Sequence, residues 1–113
     1  MEVNFGDWEL KDWNDIPTDE INPWYNDYIN VNPPNGESLI DLVKRVNSFI
    51  ADLSENHPNE KIIIITHAGV IRAFFHLLMD VPFENIFQFD PNYAKVTKFK
   101  KQYNQWVLKA FNI

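Results

Sequence analysis

Three histidines are the side chains in this 113-residue sequence best suited to donate or accept a proton near neutral pH, and there is no cysteine to offer a thiolate. One of them stands apart. His67 closes the run Lys61-Ile-Ile-Ile-Ile-Thr66 and precedes Ala68-Gly69, after which an apolar helical stretch begins at Val70. Four consecutive isoleucines are β-branched and apolar on both faces, which predicts a strand over Ile62–Thr66 buried on both sides in a parallel sheet. His67 is then expected at the carboxyl end of a central strand and just before a helix N-terminus, the place where open α/β sheets bind ligands. The free N–H groups of Ala68 and Gly69 in the first helical turn would face an anion there. A buried histidine in a tight turn is the plain alternative. Position, glycine and polar neighbours together favour a functional His67.

The other two histidines are less suggestive. His57 lies in Asn56-His57-Pro58 and reads as an exposed loop residue with no role. His76 follows Arg72 by four residues, so the two share the one polar strip of an otherwise apolar helix. They could reach a pocket, but a structural pairing with a neighbouring carboxylate is the simpler expectation. The three histidines have no metal-ligand spacing and no paired carboxylate, so neither a metal site nor another cofactor is expected.

The elements that must position these residues follow from periodicity and punctuation. Asn32-Pro-Pro-Asn-Gly36 is a strong turn signal. Ser38 and Asp41 then resemble a capping box, and Leu39, Val43, Val46, Ile50 and Leu53 form the apolar stripe of an amphipathic helix that Pro58 must stop. The helix after His67 runs from about Val70 to Met79 and is apolar almost all round, as suits a helix pressed on a sheet. Val81-Pro-Phe-Glu-Asn85 reads as a turn into a short helix or 3₁₀ segment. Lys95 to Lys101 and Trp106 to Asn112 are strand-like, and the polar linker between them predicts an antiparallel hairpin. Residues 1–35 hold eight acidic residues and a single base, Lys11, with Trp8, Trp13, Trp24, Tyr25 and Tyr28. Four prolines there break any long helix, leaving a short helical piece around Thr18 to Tyr28 with Thr18 or Asp19 as its cap. This opening segment is either irregular chain packing its aromatics on a core or a lid over a pocket.

Length allows one domain at most. No apolar run reaches the roughly 20 residues that a membrane span needs, and the N-terminus lacks a signal-peptide pattern. A net charge of −6 argues against a nucleic-acid surface. The absence of cysteine suits a reducing cytoplasm.

Thr66-His-Ala-Gly-Val-Ile-Arg-Ala73 resembles the second histidine motif of the histidine phosphatase (phosphoglycerate mutase-like) superfamily, and of its α-ribazole phosphatase branch in particular. Asn4-Phe-Gly-Asp-Trp-Glu9, Gly36-Glu-Ser38, Val81-Pro-Phe-Glu-Asn85 and Tyr93-Ala-Lys-Val-Thr97 extend the match in the family's order. The resemblance implies an α/β fold, a phosphoglycerate mutase-like three-layer sandwich. Its reaction would be phosphomonoester hydrolysis through a phosphohistidine, on a phosphorylated small molecule such as α-ribazole 5′-phosphate in cobalamin assembly. Histidine-based phosphoryl transfer needs an imidazole nucleophile, positive groups and N–H donors around the phosphoryl oxygens, and an acid for the leaving oxygen. His67 fits the donor role, helped by the N–H groups of Ala68 and Gly69. Glu2, four residues before Gly6, keeps the spacing of the family's proton-donating acid. Ser38 belongs to an element that approaches the pocket in relatives, yet it is also a good N-cap.

Two departures stand out. Leu10 replaces a glycine that often follows the glutamate at position 9 in relatives, which affects only the local turn. More serious, the Arg-His-Gly strand that carries the family's nucleophile occurs nowhere in this sequence. The chain therefore reads as a partial domain truncated at its N-terminus: an acidic, aromatic, lid-like segment over 1–35 and an α/β core over 36–113. A non-catalytic, degenerate module that binds a phosphorylated ligand or a partner is one alternative, and mutase-type phosphotransfer is another. A missing central strand leaves open sheet edges, which predicts a homo-oligomer or strand exchange.

Overall fold

The computed structural model describes residues 2–113. Along the chain come 3₁₀ turns at Gly6–Trp8 and Trp13–Asp15, helices α1 (Thr18–Asn26), α2 (Leu39–Asn56) and α3 (Ala68–Met79), a 3₁₀ segment at Phe83–Gln88, and strands β1 (Lys98–Gln102) and β2 (Gln105–Ala110). Two compact units emerge, Val3–Arg45 and Val46–Ile113, the second joined by Glu2, with the divide falling inside α2. None of the described helices is long and apolar enough to cross a membrane.

In the first unit Trp8, Ile16 and Ile21 are buried together, with Phe5 and Trp24 packed against them. Trp24 organises the aromatics: Trp8 meets it edge-on at 5.8 Å and Trp13 stacks on it at 5.7 Å. The Trp8 indole N–H is satisfied by Glu20 Oε1 at 2.7 Å. Two sequence-distant loops are laced together here. The Asp7 N–H donates to the Pro34 carbonyl at 2.8 Å and the Glu37 N–H to the Asn4 carbonyl at 2.6 Å. Gly6 makes this close approach possible, because its φ is +58° and a Cβ there would collide with the Pro34 carbonyl.

Helix α1 differs from expectation at its start. Pro17 takes the cap position, and neither Thr18 nor Asp19 caps with its side chain. The Pro17 carbonyl instead accepts the N–H groups of Glu20 and Ile21 at 3.0 Å each. Asp19 and Glu20 fall in the first turn, where negative charge opposes the positive helix end favourably. Pro23 lies inside the helix, which lasts only nine residues; the missing proline N–H costs it one bond of its ladder.

Helix α2 begins as its sequence dictates. The Asp41 N–H donates to Ser38 Oγ and the Ser38 N–H to Asp41 Oδ2, each at 3.2 Å, a reciprocal capping box. Leu39, Leu42, Val43 and Val46 are buried, while Ile50 and Leu53 farther along the stripe are half-buried. The helix stops at Asn56, two residues before Pro58.

The core of the second unit is aromatic. Phe75 of α3 is fully buried, stacked on Phe89 at 4.1 Å and edge-on to Phe99 at 5.2 Å and Phe111 at 5.6 Å, which brings helix, 3₁₀ segment and hairpin onto one ring. The expected hairpin is present: β1 and β2 pair antiparallel from Gln102↔Gln105 outward, with an irregularity at Lys98/Phe99. Its two-residue loop, Tyr103-Asn104, has φ of +53° and +62°, the positive values of a type I′ turn that matches strand twist.

The stretch expected as the central strand departs from expectation. Ile62–Thr66 forms no ladder, and the only sheet among the described residues is the β1–β2 hairpin. Exposure alternates along it, 43% at Ile62, 93% at Ile63, 38% at Ile64 and 98% at Ile65, with the period of two of an extended chain. The run is therefore neither paired nor buried on both faces. A strand is defined by its neighbour, and none of the described residues supplies one.

Candidate functional site

His67 is the residue that caps α3. Its backbone is extended, with φ −127° and ψ 166°, and its carbonyl accepts the Ile71 N–H at 3.1 Å. The imidazole is exposed and makes no side-chain cap bond, so the ring is open to a ligand at the helix N-terminus instead of being enclosed in an apolar core. Thr66, just before it, carries a buried Oγ1 with no hydrogen-bond partner among the described residues. A buried hydroxyl without a partner is costly. Sequence reasoning did not single out Thr66; the signal available was a polar side chain ending an apolar run.

Glu2 arrives at the same helix end from 67 residues away. Its Oε2 accepts the Gly69 N–H at 3.1 Å in a partly buried contact. The fit requires glycine, because a Cβ at position 69 would run into the Glu2 carboxylate. The carboxylate thus takes one of the free N–H groups that the sequence had assigned to an incoming anion. That group is engaged by Glu2 here, and among the described residues no side chain bonds the Ala68 N–H. A carboxylate at this position is favourable for the reason an anion would be: the first-turn donors and the helix dipole both attract negative charge.

Ser38 and its neighbours belong to the other unit and are tied into its hydrogen bonding. Ser38 is buried and its hydroxyl is used by the capping box. Hydrogen bonds to Asp41, first from the Ser38 N–H and then from the Asn32 amide at 2.8 Å, hold its carboxyl below the ordinary value. Glu37 forms a two-pronged pair with Arg45, Nε to Oε2 and Nη2 to Oε1 at 3.1 Å each, and accepts the Asn4 N–H at 2.9 Å. Burial works to raise Glu37, but the guanidinium and the Asn4 N–H outweigh it and leave its carboxyl lowered. Sequence reasoning passed over this pair.

Arg72 and His76 are also accounted for. Arg72 donates through Nε to the Phe89 carbonyl at 2.9 Å, approaches Asp90 at 3.4 Å and lies over the Phe87 ring. The carboxylate pairing expected for it is present. His76 lies 2.7 Å from the Val81 carbonyl and stacks on Phe83 at 4.0 Å, so both polar groups of α3 fasten the segment that follows it. His57 is exposed and pairs with Glu60 at 3.0 Å. A cleft of about 230 Å³ opens in the first unit, lined by Phe5, Trp8, Trp13, Ile16 and the rim residues Glu9 to Lys11, and His67 is not part of it.

An extended run thus leads into a helix start with an open histidine and a distant carboxylate on a first-turn N–H of the same helix, and the chain belongs to the histidine phosphatase superfamily (branch 1), whose model matches residues 1–113. Among curated relatives, the adenosylcobalamin/alpha-ribazole phosphatase of Escherichia coli (strain K12) is 33% identical over 91 residues, covering 78% of this chain and 45% of that protein. Phosphoserine phosphatase 1 of Hydrogenobacter thermophilus is 21% identical over 116 residues, covering 55% of its length. Among solved structures, the alpha-ribazole phosphatase of Shigella flexneri superposes with a TM-score of 0.88 at 29% identity, over 99% of this chain and 57% of that one. A mycobacterial glucosyl-3-phosphoglycerate phosphatase, solved with inorganic phosphate, shares the fold with a TM-score of 0.77 at 21% identity, over 99% of this chain and 61% of that one. The fold class is therefore that of the phosphoglycerate mutase-like phosphatases. The chain spans about half the length of the curated relatives it matches.

Proposed function

We propose that this chain carries the charge-stabilising and acid half of a phosphomonoesterase site of the α-ribazole phosphatase type. His67 donates to the oxygens of the phosphoryl group in transfer, the Ala68 N–H adds a backbone donor, and Glu2 protonates the leaving oxygen. The observation that carries this reading is the meeting of Glu2 with the α3 N-terminus beside His67, two positions that the family resemblance singles out and that lie far apart in sequence. Ser38 is assigned to the cap of α2 and not to substrate. Similarity to relatives named for α-ribazole supports a 5′-phosphorylated α-ribazole as substrate; a step in cobalamin assembly and a cytoplasmic location are part of the same proposal.

The sequence contains no Arg-His-Gly, so the nucleophile of a phosphohistidine route has no counterpart in it and this chain by itself is expected to turn over phosphomonoesters negligibly. That same observation favours a second reading, a degenerate module that binds a phosphorylated ligand without turning it over. Titration with inorganic phosphate, followed through the His67 ring signals by NMR, tests the part common to both. Shifts at His67 that vanish in His67→Ala are expected, and a ring indifferent to phosphate sinks both. Hydrolysis of p-nitrophenyl phosphate that disappears in His67→Ala overturns the assignment of roles, since His67 would then itself attack phosphorus. The upstream reading frame separates enzyme from module: an in-frame Arg-His-Gly strand supports the enzyme, a true start at Met1 the module. Self-association of the chain is part of the same proposal.

A further inference from the structure

We propose that Glu2 is an internal competitor of the phosphoryl group: its carboxylate holds the Gly69 N–H until a phosphate arriving at His67 takes its place. The inference rests on the phosphoryl reading above and concerns how that same site is kept guarded. Gly69 is the second residue of α3, and its N–H is one of those that a capping side chain or a bound anion ordinarily takes. His67, the cap residue, makes no such bond with its own ring, and α3 has no acidic residue in its first turn. The whole stretch from Lys61 to Met79 is free of acidic residues. The positive end of α3 therefore has no anion from its own neighbourhood, and Glu2 supplies one across 67 residues of sequence.

The helix start has room for one anion, not two. Glu2 Oε2 is 3.1 Å from the Gly69 nitrogen, and the carboxylate covers the space that a Cβ of residue 69 would occupy. One N–H has one proton to donate, so a phosphoryl oxygen that accepts it must displace the carboxylate. Left in place, the carboxylate sets one negative charge close against another. Phosphate has the advantage of reach, because its oxygens can accept from the Gly69 N–H and the exposed His67 ring together. Displacement also serves the chemistry. A carboxyl accepting from Gly69 is held at the helix, whereas one released from it can turn to the leaving oxygen. Glycine at position 69 is part of the device, since a side chain there would keep Glu2 from the N–H.

Titration with inorganic phosphate, followed by NMR at the Gly69 amide and the His67 ring, tests the exchange. In the unmodified chain both signals are expected to move with one dissociation constant. Glu2→Ala removes the competitor together with its charge and should tighten phosphate binding about tenfold. Glu2→Gln keeps an acceptor for the Gly69 N–H and so guards the fold; loss of the charge alone should tighten binding about threefold. A purely structural Glu2 predicts the opposite sign, because a loosened helix start binds phosphate more weakly. Circular dichroism of each variant verifies that α3 is intact. A Gly69 amide that stays fixed while phosphate saturates His67 overturns the exchange and leaves the phosphoryl reading standing. So does an affinity that is unchanged or lowered in both variants. Binding that becomes measurable only in Glu2→Ala supports the exchange in its strongest form. No shift at His67 in any of the three chains overturns the phosphoryl reading, and the exchange with it.

Discussion

At the scale of the residue, the contact with most consequence is Glu2 on the Gly69 N–H. Two opposing effects meet at position 69. Alanine is a better helix residue than glycine by about 1 kcal/mol, yet its Cβ would push the Glu2 carboxylate off an N–H bond to a charged group, worth about 1.5–3 kcal/mol before solvent screening. Gly69→Ala should therefore change stability little, by about 1 kcal/mol or less, while making the chain indifferent to Glu2→Ala. A double-mutant cycle by urea unfolding checks this: strong non-additivity is expected, and strictly additive effects would show that the contact contributes nothing. Thr66 offers a companion case. Thr66→Val removes a hydroxyl that is buried without a partner, so it should leave stability unchanged or raise it by up to about 1 kcal/mol.

At the scale of the element, α2 and the Ile62–Ile65 run are opposites. Helix α2 is secured locally by its capping box and laterally by Leu39, Leu42, Val43 and Val46. Ser38→Ala should cost about 1 kcal/mol through the lost cap. Leu42→Ala, at a fully buried site, should cost about 2–5 kcal/mol through the cavity it opens. Ile63→Ala is as large a deletion in atoms, but its side chain is 93% exposed, so the stability of the isolated fold should be indifferent to it. Thermal unfolding of the three variants checks the order. The hairpin shows the same logic in its turn: Tyr103 and Asn104 both hold positive φ, and Tyr103→Gly should relieve the less tolerant of the two.

At the scale of the whole molecule, the acidic balance sets the pH response. Glu37 and Asp41 both titrate below their ordinary values of 4.5 and 3.8 in the folded state. A lowered folded pKa means that deprotonation favours folding. Their contribution is fully present above those ordinary values and is lost as pH falls through the lowered ones. The urea midpoint should thus be flat between pH 7 and about 5 and drop below about 4. Glu37→Gln should flatten part of that drop, because Arg45 stays charged and the partner that titrates is gone. A midpoint that falls between pH 7 and 5 would point to a histidine instead.

The sequence by itself determined the parts whose causes are local. The alternating stripe of α2, its Ser38/Asp41 cap, the stop before Pro58, the apolar α3, the 3₁₀ segment after Pro82 and the hairpin around residues 103–104 all follow from spacing and punctuation within a few residues. So does the placing of His67 at a helix N-terminus, since Thr66-His-Ala-Gly69 marks the boundary without outside help. Only the tertiary structure decided what depends on distant partners. Four isoleucines specify an apolar, extended run, but a ladder needs a second strand, and no property of Ile62–Ile65 reveals whether one is present. Glu2 reaches Gly69 across 67 residues, and Gly6 meets Pro34 through a loop crossing that no local pattern encodes. The α1 cap belongs here too: Thr18 and Asp19 have the right side chains, but the turn through Pro17 places both inside the helix, and the Pro17 carbonyl takes over by accepting two N–H bonds. Local free energies select elements, whereas non-local hydrogen bonds and burial select which elements meet.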